Sequence, residues 1–160
     1  MKTLVLVRHA KSAWGDPTLA DHDRPLNDRG RRDAPEMGRR LRERGVAPDA
    51  ILSSTAVRAR STAESIAEEL GTAHGVLAFD ERLYGSSPET ILSVVAEVDD
   101  DVTTVLVVAH DPGMSDLANR LSGEIEHMPT CGVAEFRFAA WSWSEIGDAE
   151  PLEVHLDTPH

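Results

Sequence analysis

The sequence predicts an α/β domain in which a mostly parallel sheet lies between two layers of helices. Strand-like and helix-like segments alternate four times along the 160 residues, and this alternation favours a parallel sheet joined by right-handed crossovers. Several strand-like segments are short apolar runs without polar alternation, which is typical of strands that are buried on both faces. We expect one domain over residues 1–160, because a chain of this length can bury a substantial core.

The first strand and the first helical region are separated by a long loop. Thr3–Val7 is a β-branched and leucine run that predicts a buried strand. Asn27 is suited to cap a first helical turn, and Asp33 with Glu36 three residues later makes a second cap signature. We therefore expect a break near Asp33, followed by an amphipathic helix that ends near Gly45.

The middle of the chain repeats the order of strand and helix. Ala50–Leu52 predicts a brief second strand, and an apolar stripe over 59–70 predicts a helix that Gly71 stops. Val76–Phe79 predicts a third strand. Ser87–Pro88 is an N-cap followed by proline at the first helical position, and the apolar residues beyond it continue as a third helix.

The last part of the chain contains the segment with the strongest strand signal. Thr103–Ala109 reads TTVLVVA, so we expect it at the centre of the sheet. An apolar stripe over 114–121 predicts the fourth helix, and Val133–Ala139 and Leu152–Leu156 predict the final strands. Ser142–Pro151 has the weakest pattern of any stretch in the chain.

Composition and charge exclude several classes of function. The chain carries 28 acidic and 16 basic residues, a formal net charge of −12, so its surface should repel nucleic acid and anionic membranes. The apolar run near the start is too short for a signal sequence or a membrane span, and Cys131 has no second cysteine to pair with. We expect a cytoplasmic monomer with no nucleic-acid or membrane partner.

Polar residues that suit a phosphate follow three of the predicted strands. Arg8 and His9 follow the first strand, Arg58 comes shortly after the second, and His110 follows the strongest one. Since ligands of open α/β sheets bind beyond the carboxyl ends of the strands, we expect these side chains to meet there. Two imidazoles and two guanidinium groups around one cavity predict a site for a phosphoryl group.

Each of these residues has a predicted chemical role. An imidazole nitrogen is nucleophilic near neutral pH when an acceptor holds the other ring nitrogen, and His9 fits this role. Arg8 and Arg58 can bind phosphate oxygens through charge-assisted hydrogen bonds. A protonated His110 can donate to another oxygen and stabilise the transition state. Glu81, just after the third strand, is the candidate proton donor for the leaving group.

Other readings of the polar residues are open or disfavoured. No short His-x-His or Cys-x-x-Cys spacing supports a metal site, and flanking arginines disfavour a cation, so we expect no metal and no other cofactor. Cys131 and Arg137 have the Cys-x5-Arg spacing, but the residues between them belong to the predicted strand Val133–Ala139 and not to a phosphate-binding loop, so we do not expect Cys131 to be a nucleophile. Lys11 and Ser12 either line the pocket or belong to a polar loop, and Asp21 and Asp23 are either solvated or orient an arginine. We assign no role to the remaining histidines, which are His22, His74, His127, His155 and His160.

The motifs around these residues resemble those of the histidine phosphatase superfamily, also called phosphoglycerate-mutase-like. The matching segments are Leu-Val-Arg-His-Ala at Leu6–Ala10, Ser-Ser-Thr-Ala-Val-Arg ending at Arg58, and Val-Val-Ala-His-Asp-Pro-Gly-Met around His110. The resemblance spans Thr3 to about Pro159 and is greatest to the short SixA-type branch, known for phosphohistidine phosphatases. It implies that His9 is phosphorylated and that Arg8, Arg58 and His110 complete the pocket.

The resemblance implies a metal-independent phosphatase that acts on a phosphohistidine protein or a small phosphomonoester. Ala10 stands where many members have glycine, which argues against the mutases. The Glu-Arg-Leu-Tyr-Gly segment that begins at Glu81 resembles the acid-bearing segment of the mutases. Two alternatives stay open: phosphoryl transfer on sugar phosphates, and a phosphate-binding module without turnover.

Overall fold

A computed structural model describes residues 1–73 and 75–160, and His74 lies outside the described residues. Within these ranges six strands form one sheet in the order β3-β2-β4-β1-β5-β6. The strands are β1 (Lys2–Arg8), β2 (Ala50–Ser53), β3 (Leu77–Phe79), β4 (Thr104–Ala109), β5 (Val133–Phe138) and β6 (Glu153–Asp157). The predicted α/β class is confirmed, and β4 lies inside the sheet as its apolar sequence predicts.

The sheet has a parallel part and an antiparallel part. β3, β2, β4 and β1 run parallel to one another, while β5 pairs antiparallel with β1 and β6 pairs antiparallel with β5. The carboxyl ends of the parallel strands therefore lie along one edge of the sheet. The amino ends lie along the opposite edge.

Two helices cover each face of the sheet, which gives the predicted three layers. The helices are α1 (Asp28–Glu43), α2 (Val57–Leu70), α3 (Pro88–Ala96) and α4 (Gly113–Ser122). Alternate residues of β1 serve the two cores: Leu4 and Leu6 pack with residues of α3 and α4, whereas Val5 and Val7 pack with residues of α1 and α2. An uninterrupted apolar strand is thus buried on both faces, as the period of two requires.

The local signals at helix ends behave mostly as the sequence predicts. The Ser87 Oγ accepts a hydrogen bond from the Thr90 N–H at 3.2 Å, with Pro88 in the first turn of α3. Gly71 ends α2 with a φ of 65°, in the left-handed region that glycine adopts at little cost.

The predicted break near Asp33 is wrong, because α1 continues unbroken from Asp28 to Glu43. Asn27 is the N-cap, and its Oδ1 accepts from the Gly30 N–H at 2.9 Å. Asp33 is buried in the middle of the helix, where its carboxylate lies 3.0 Å from Nε2 of His160. Its side chain therefore makes a long-range contact and does not cap a new helix.

The weakly patterned stretch near the end of the chain contains a 3₁₀ helix, Trp143–Asp148, whose Trp143 and Ile146 are fully buried. Two further 3₁₀ helices, Asp21–Asp23 and Glu81–Leu83, lie in loops that follow strands. Among the described residues, no helix has the length and apolar character needed to cross a membrane. The cytoplasmic location stays a prediction.

Candidate active site

Three parallel strands bring the predicted site residues to one edge of the sheet. β1 and β2 both pair with β4, and the residue that follows each strand is His9 after β1, Ser54 after β2 and His110 after β4. The His9 N–H donates to the Ala109 carbonyl at 3.0 Å, which fixes the chain where it leaves the sheet. Arg58 joins this group from the first turn of α2.

These side chains surround a cavity of about 220 Å³. The structure brings together all four residues that the sequence assigned to phosphate chemistry, together with both candidate residues of the first loop. The lining residues are Arg8, His9, Lys11, Ser12, Trp14, Arg24, Arg58, His110, Asp111 and Thr130. Three arginines in a chain of net charge −12 make this cavity a local site for an anion.

The His9 ring is held so that Nδ1 carries a proton and Nε2 does not. Nδ1 lies 2.7 Å from the Ala10 carbonyl oxygen, which can only accept, so Nδ1 is the donor. Burial, together with the charges of Arg58 and Arg8, lowers the pKa of His9 to about 4 despite the opposing effect of the Ala10 carbonyl. The ring is neutral at pH 7, and its Nε2 lone pair is available for attack on phosphorus.

His110 packs beside His9, with ring centroids 5.0 Å apart, and contacts Ser54. Its Nε2 lies 2.7 Å from the Ser54 Oγ, and its Nδ1 is buried without a hydrogen-bond partner in the described part of the chain. Burial first, then the neighbouring His9 and Arg58, lower the pKa of His110 to about 3, so the ring is neutral at pH 7. A phosphate dianion would favour its protonated form.

Protein acceptors fix both predicted arginines while part of each guanidinium group stays unpaired. Arg8 Nη1 donates to the Met128 carbonyl at 2.9 Å and lies 3.5 Å from the Asp111 carboxylate. Arg58 Nη1 and Nη2 donate to the carbonyl and the carboxylate of Asp21 at 2.7 and 2.9 Å. The Nε atoms of both arginines are buried and have no partner among the described residues.

Asp21 orients several groups at once. Orienting an arginine is one of the two roles that the sequence left open for this residue. Its carboxylate accepts from the Tyr84 hydroxyl at 2.6 Å, from Arg58 at 2.9 Å and from Arg24 Nε at 3.1 Å. The Tyr84 hydrogen bond, followed by those from Arg58 and Arg24, holds the pKa of Asp21 well below its usual range. The same contact raises the pKa of Tyr84. Asp21 is therefore an ionised anchor at neutral pH.

Tight packing against α1 positions the loop that supplies these residues. Ser12 and Leu26 form an isolated antiparallel bridge, and the Asn27 N–H donates to the Lys11 carbonyl at 3.0 Å. A Cβ atom at Gly30 would collide with that same carbonyl oxygen, so the helix start requires glycine. The loop is thereby fixed at both of its ends.

Glu81 lies apart from the other predicted site residues. It begins the 3₁₀ helix Glu81–Leu83 with an exposed side chain, and it is not one of the residues that line the cavity. Its role as proton donor stays a prediction.

Sequence reasoning missed three features of the site, namely Arg24, Trp14 and Tyr84. Arg24 is only 8% exposed, and its Nη1 donates to the Ser12 Oγ at 2.9 Å. Tyr84 packs edge-on against His110 with ring centroids 5.4 Å apart. All three lie in loops without helical or strand periodicity. The recurrence of arginine from position 24 onward was the available signal for the first of them.

Comparisons with known proteins agree with this geometry. A model of the histidine phosphatase superfamily (branch 1) matches residues 4–90. An uncharacterised protein of Mycobacterium tuberculosis is 41% identical over 162 residues, covering 94% of this chain and 99% of that protein. A solved structure of SixA from Nakamurella multipartitia, assigned as a phosphohistidine phosphatase, has a TM-score of 0.83 and 30% identity over 96% of this chain and 95% of its own.

A third similarity is local. The 2,3-bisphosphoglycerate-dependent phosphoglycerate mutase of Nitrobacter hamburgensis is 38% identical over 91 residues, which make up 52% of this chain and 44% of the mutase.

The fold, the cavity and these matches together define the class: the chain belongs to the histidine phosphatase superfamily, whose chemistry is phosphate removal and phosphoryl transfer. Within the superfamily it falls in the SixA-type branch. The resemblance found in the sequence motifs is confirmed at both levels.

Proposed function

We propose that this protein is a metal-independent phosphatase that removes phosphoryl groups from phosphohistidine in proteins, with His9 as the nucleophile. The observation that carries the proposal is a set of three buried nitrogen atoms without partners among the described residues: Arg8 Nε, Arg58 Nε and His110 Nδ1. Buried polar groups are nearly always paired, so three unpaired ones on residues that line one cavity indicate a bound acceptor. A phosphoryl group offers three oxygens and the complementary charge.

The first step transfers the phosphoryl group to His9. Its oxygens accept from Arg8, Arg58 and His110, which stabilise charge in the transition state. Nε2 of His9 attacks phosphorus while the bond from phosphorus to the substrate nitrogen breaks. The His9 ring becomes positively charged, and the proton stays on its Nδ1, which donates to the Ala10 carbonyl at 2.7 Å.

The second step regenerates the enzyme. Water attacks the phosphorus of phospho-His9, the bond from Nε2 to phosphorus breaks, and the water proton leaves with inorganic phosphate. His9 returns to the neutral ring that its pKa of about 4 dictates. No metal enters either step, because the cationic groups of Arg8 and Arg58 supply the positive charge.

The state of the nearby carboxylates supports phosphohistidine as the substrate. Asp21 is ionised, and Glu81 is outside the cavity lining. Asp111 lines the cavity, but its two carboxylate oxygens accept from the Ser115 N–H at 2.9 Å and the Ser115 Oγ at 2.7 Å. None of the three offers a well-placed proton to an alkoxide. An imidazole leaves more easily and departs as a neutral ring when its other nitrogen carries a proton. The 30% identity to a SixA assigned as a phosphohistidine phosphatase points in the same direction.

The similarity to phosphoglycerate mutases favours a second candidate, phosphoryl transfer on sugar phosphates. A mutase must keep water from the phosphoenzyme while the substrate reorients. In this chain the mutase similarity covers 91 residues and 44% of the mutase, so much of the mutase has no counterpart in the match. We therefore rank the mutase second, ahead of a module that binds phosphate without turnover.

A phosphate-release panel tests the proposal. The substrates are a phosphohistidine peptide, a sugar phosphate, a nucleotide and an aryl phosphate, each with and without chelator. We expect the highest kcat/KM for the phosphohistidine peptide, unchanged rates with chelator, and loss of activity in His9→Ala but not in the matched surface variant His155→Ala. Faster transfer to a sugar hydroxyl than to water would make it a mutase, and peptide binding without release would make it a binding module.

A further inference from the structure

An exposed tryptophan lies at the cavity that holds His9. Trp14 is 75% exposed and lines the cavity, although a side chain of this size usually buries most of its surface. Trp141 is also exposed, at 89%, but it lies just beyond β5, whose end at Phe138 pairs with Lys2 at the opposite edge of the sheet. Trp14 is therefore an exposed aromatic ring placed where a substrate must enter.

The Trp14 ring rests on a guanidinium group that the protein holds rigidly. The Arg24 Cζ atom is 3.6 Å from the ring centroid. Arg24 is fixed in turn by Ser12 at 2.9 Å, by the Ala13 carbonyl at 3.3 Å and by Asp21 at 3.1 Å. One face of the indole thus packs on a buried, immobilised cation, and most of the remaining ring surface faces solvent. A ring held in this way binds a flat partner at a low cost in conformational entropy.

A simpler explanation for a tryptophan at position 14 is that it covers Arg24, but this explanation does not account for the exposed surface of the Trp14 ring. A covering role needs apolar surface on the guanidinium side only, and a leucine would supply it with less exposed apolar area. The indole offers a large second surface that no described residue buries. This difference between a leucine and an aromatic ring is what an experiment can measure.

We propose that Trp14 is a specificity-determining residue that stacks on the flat, unsaturated ring of the leaving group. The inference rests on the proposed function and deepens it. Trp14 lines the same cavity of about 220 Å³ as Arg8, Arg58 and His110, so a leaving group attached to a phosphoryl group held by those residues would share the cavity with the indole ring. The preferred substrates carry the phosphoryl group on a ring, such as the imidazole of histidine.

The test compares leucine with phenylalanine at position 14. The measured quantity is a specificity ratio: kcat/KM for an aryl phosphate, or for a phosphohistidine peptide, divided by kcat/KM for acetyl phosphate, which has no ring. We expect Trp14→Leu to lower this ratio about fivefold to tenfold, mainly through a higher KM for the ring-bearing substrates. Trp14→Phe retains most of the ratio, and Trp141→Leu leaves it unchanged.

The outcomes separate this inference from the function on which it rests. An unchanged ratio in Trp14→Leu, or equal ratios in the leucine and phenylalanine variants, overturns the stacking role. If Trp14→Leu is too unstable to assay, Trp14→Ala takes its place: a lower ratio in Trp14→Ala than in Trp14→Phe supports stacking, and equal ratios overturn it. Failure of the proposed function looks different, because phosphate release by the wild-type chain would then be absent or would survive in His9→Ala.

Discussion

Buried polar groups have hydrogen-bond partners at the amino edge of the sheet, whereas several at the carboxyl edge have none among the described residues. At the amino edge, the Lys2 Nζ donates to the Asp100 carbonyl and, at 3.0 Å, to the Val102 carbonyl. Trp143 donates from Nε1 to the same Val102 carbonyl at 2.8 Å. At the carboxyl edge, Arg8 Nε, Arg58 Nε and His110 Nδ1 are buried and unpaired in the described part of the chain.

The difference in pairing distinguishes buried groups that stabilise the fold from buried groups to which the proposed function assigns a ligand. A buried donor with a protein acceptor contributes about 1 kcal/mol to stability, whereas an unpaired one costs about 1–3 kcal/mol. Lys2 and Trp143 therefore hold the end of β1 and the weakly patterned stretch together. The unpaired nitrogen atoms of the other edge lower stability, and the proposed function assigns them a phosphoryl group as partner.

The largest expected effect separates stability from activity at the amino edge. Trp143→Ala removes a side chain that is 1% exposed together with its Nε1 hydrogen bond, so we expect a loss of about 3–5 kcal/mol of unfolding free energy. Urea unfolding measures the loss. The folded fraction should keep its kcat for an aryl phosphate, because Trp143 contacts the amino edge of the sheet at Val102, whereas His9 follows the carboxyl end of β1. A large fall in kcat of the folded enzyme would show that the two edges are not independent.

The converse change at the carboxyl edge should affect activity far more than stability. In the proposed function Arg58 stabilises charge on the phosphoryl group, so Arg58→Ala should lower kcat/KM about 10²-fold to 10³-fold. Arg60→Ala is the matched control, because Arg60 lies on the same helix with an exposed side chain that stacks on Phe79. Steady-state kinetics and thermal unfolding of both variants make the comparison. Similar small losses of activity in the two variants would show that Arg58 does not bind the phosphoryl group.

A smaller effect concerns pH. The pKa values of His9 and His110 are about 4 and about 3 in the folded chain, against 6.5 for an unperturbed histidine. Below pH 6.5 the unfolded chain takes up protons that the folded chain excludes, so the unfolding free energy falls as the pH falls from 6.5 towards 4. Each histidine contributes a slope of up to about 1.4 kcal/mol per pH unit.

Urea unfolding of the wild type and of His110→Asn at pH 7.5, 6 and 5 measures this slope. The variant should lose less stability on acidification, and the difference between the two proteins should grow as the pH falls. Parallel curves would mean that His110 is not held neutral by burial. His155→Asn, on the exposed surface of β6, should give the wild-type slope.

Sequence reasoning located the residues that regular structure positions, and it left open or missed the residues that loops position. His9 and His110 follow strands directly, so apolar runs in the sequence were enough to place both at one edge of the sheet. Trp14, Asp21 and Arg24 meet through a loop whose path depends on packing against α1, and no periodicity encodes that path. The contacts among these three residues could be identified only from the three-dimensional structure.

The wrong break in α1 has a related cause. Asp33 and Glu36 have the spacing of a cap, but the carboxylate of Asp33 contacts His160, which is 127 residues away. Local patterns describe neighbours in sequence and cannot reveal a partner at the other end of the chain. The sequence also did not reveal that Glu81 is exposed, because its position after a strand does not fix the direction of the loop.

The most direct test of the account is to trap the phosphoenzyme. Brief exposure to ³²P-labelled substrate, followed by rapid denaturation, should give a label that is stable in base and labile in acid, as phosphohistidine is. Peptide mapping should place the label on His9, and His155→Ala should label like the wild type. Label retained in His9→Ala, or mapped to another residue, would contradict the assignment of the nucleophile.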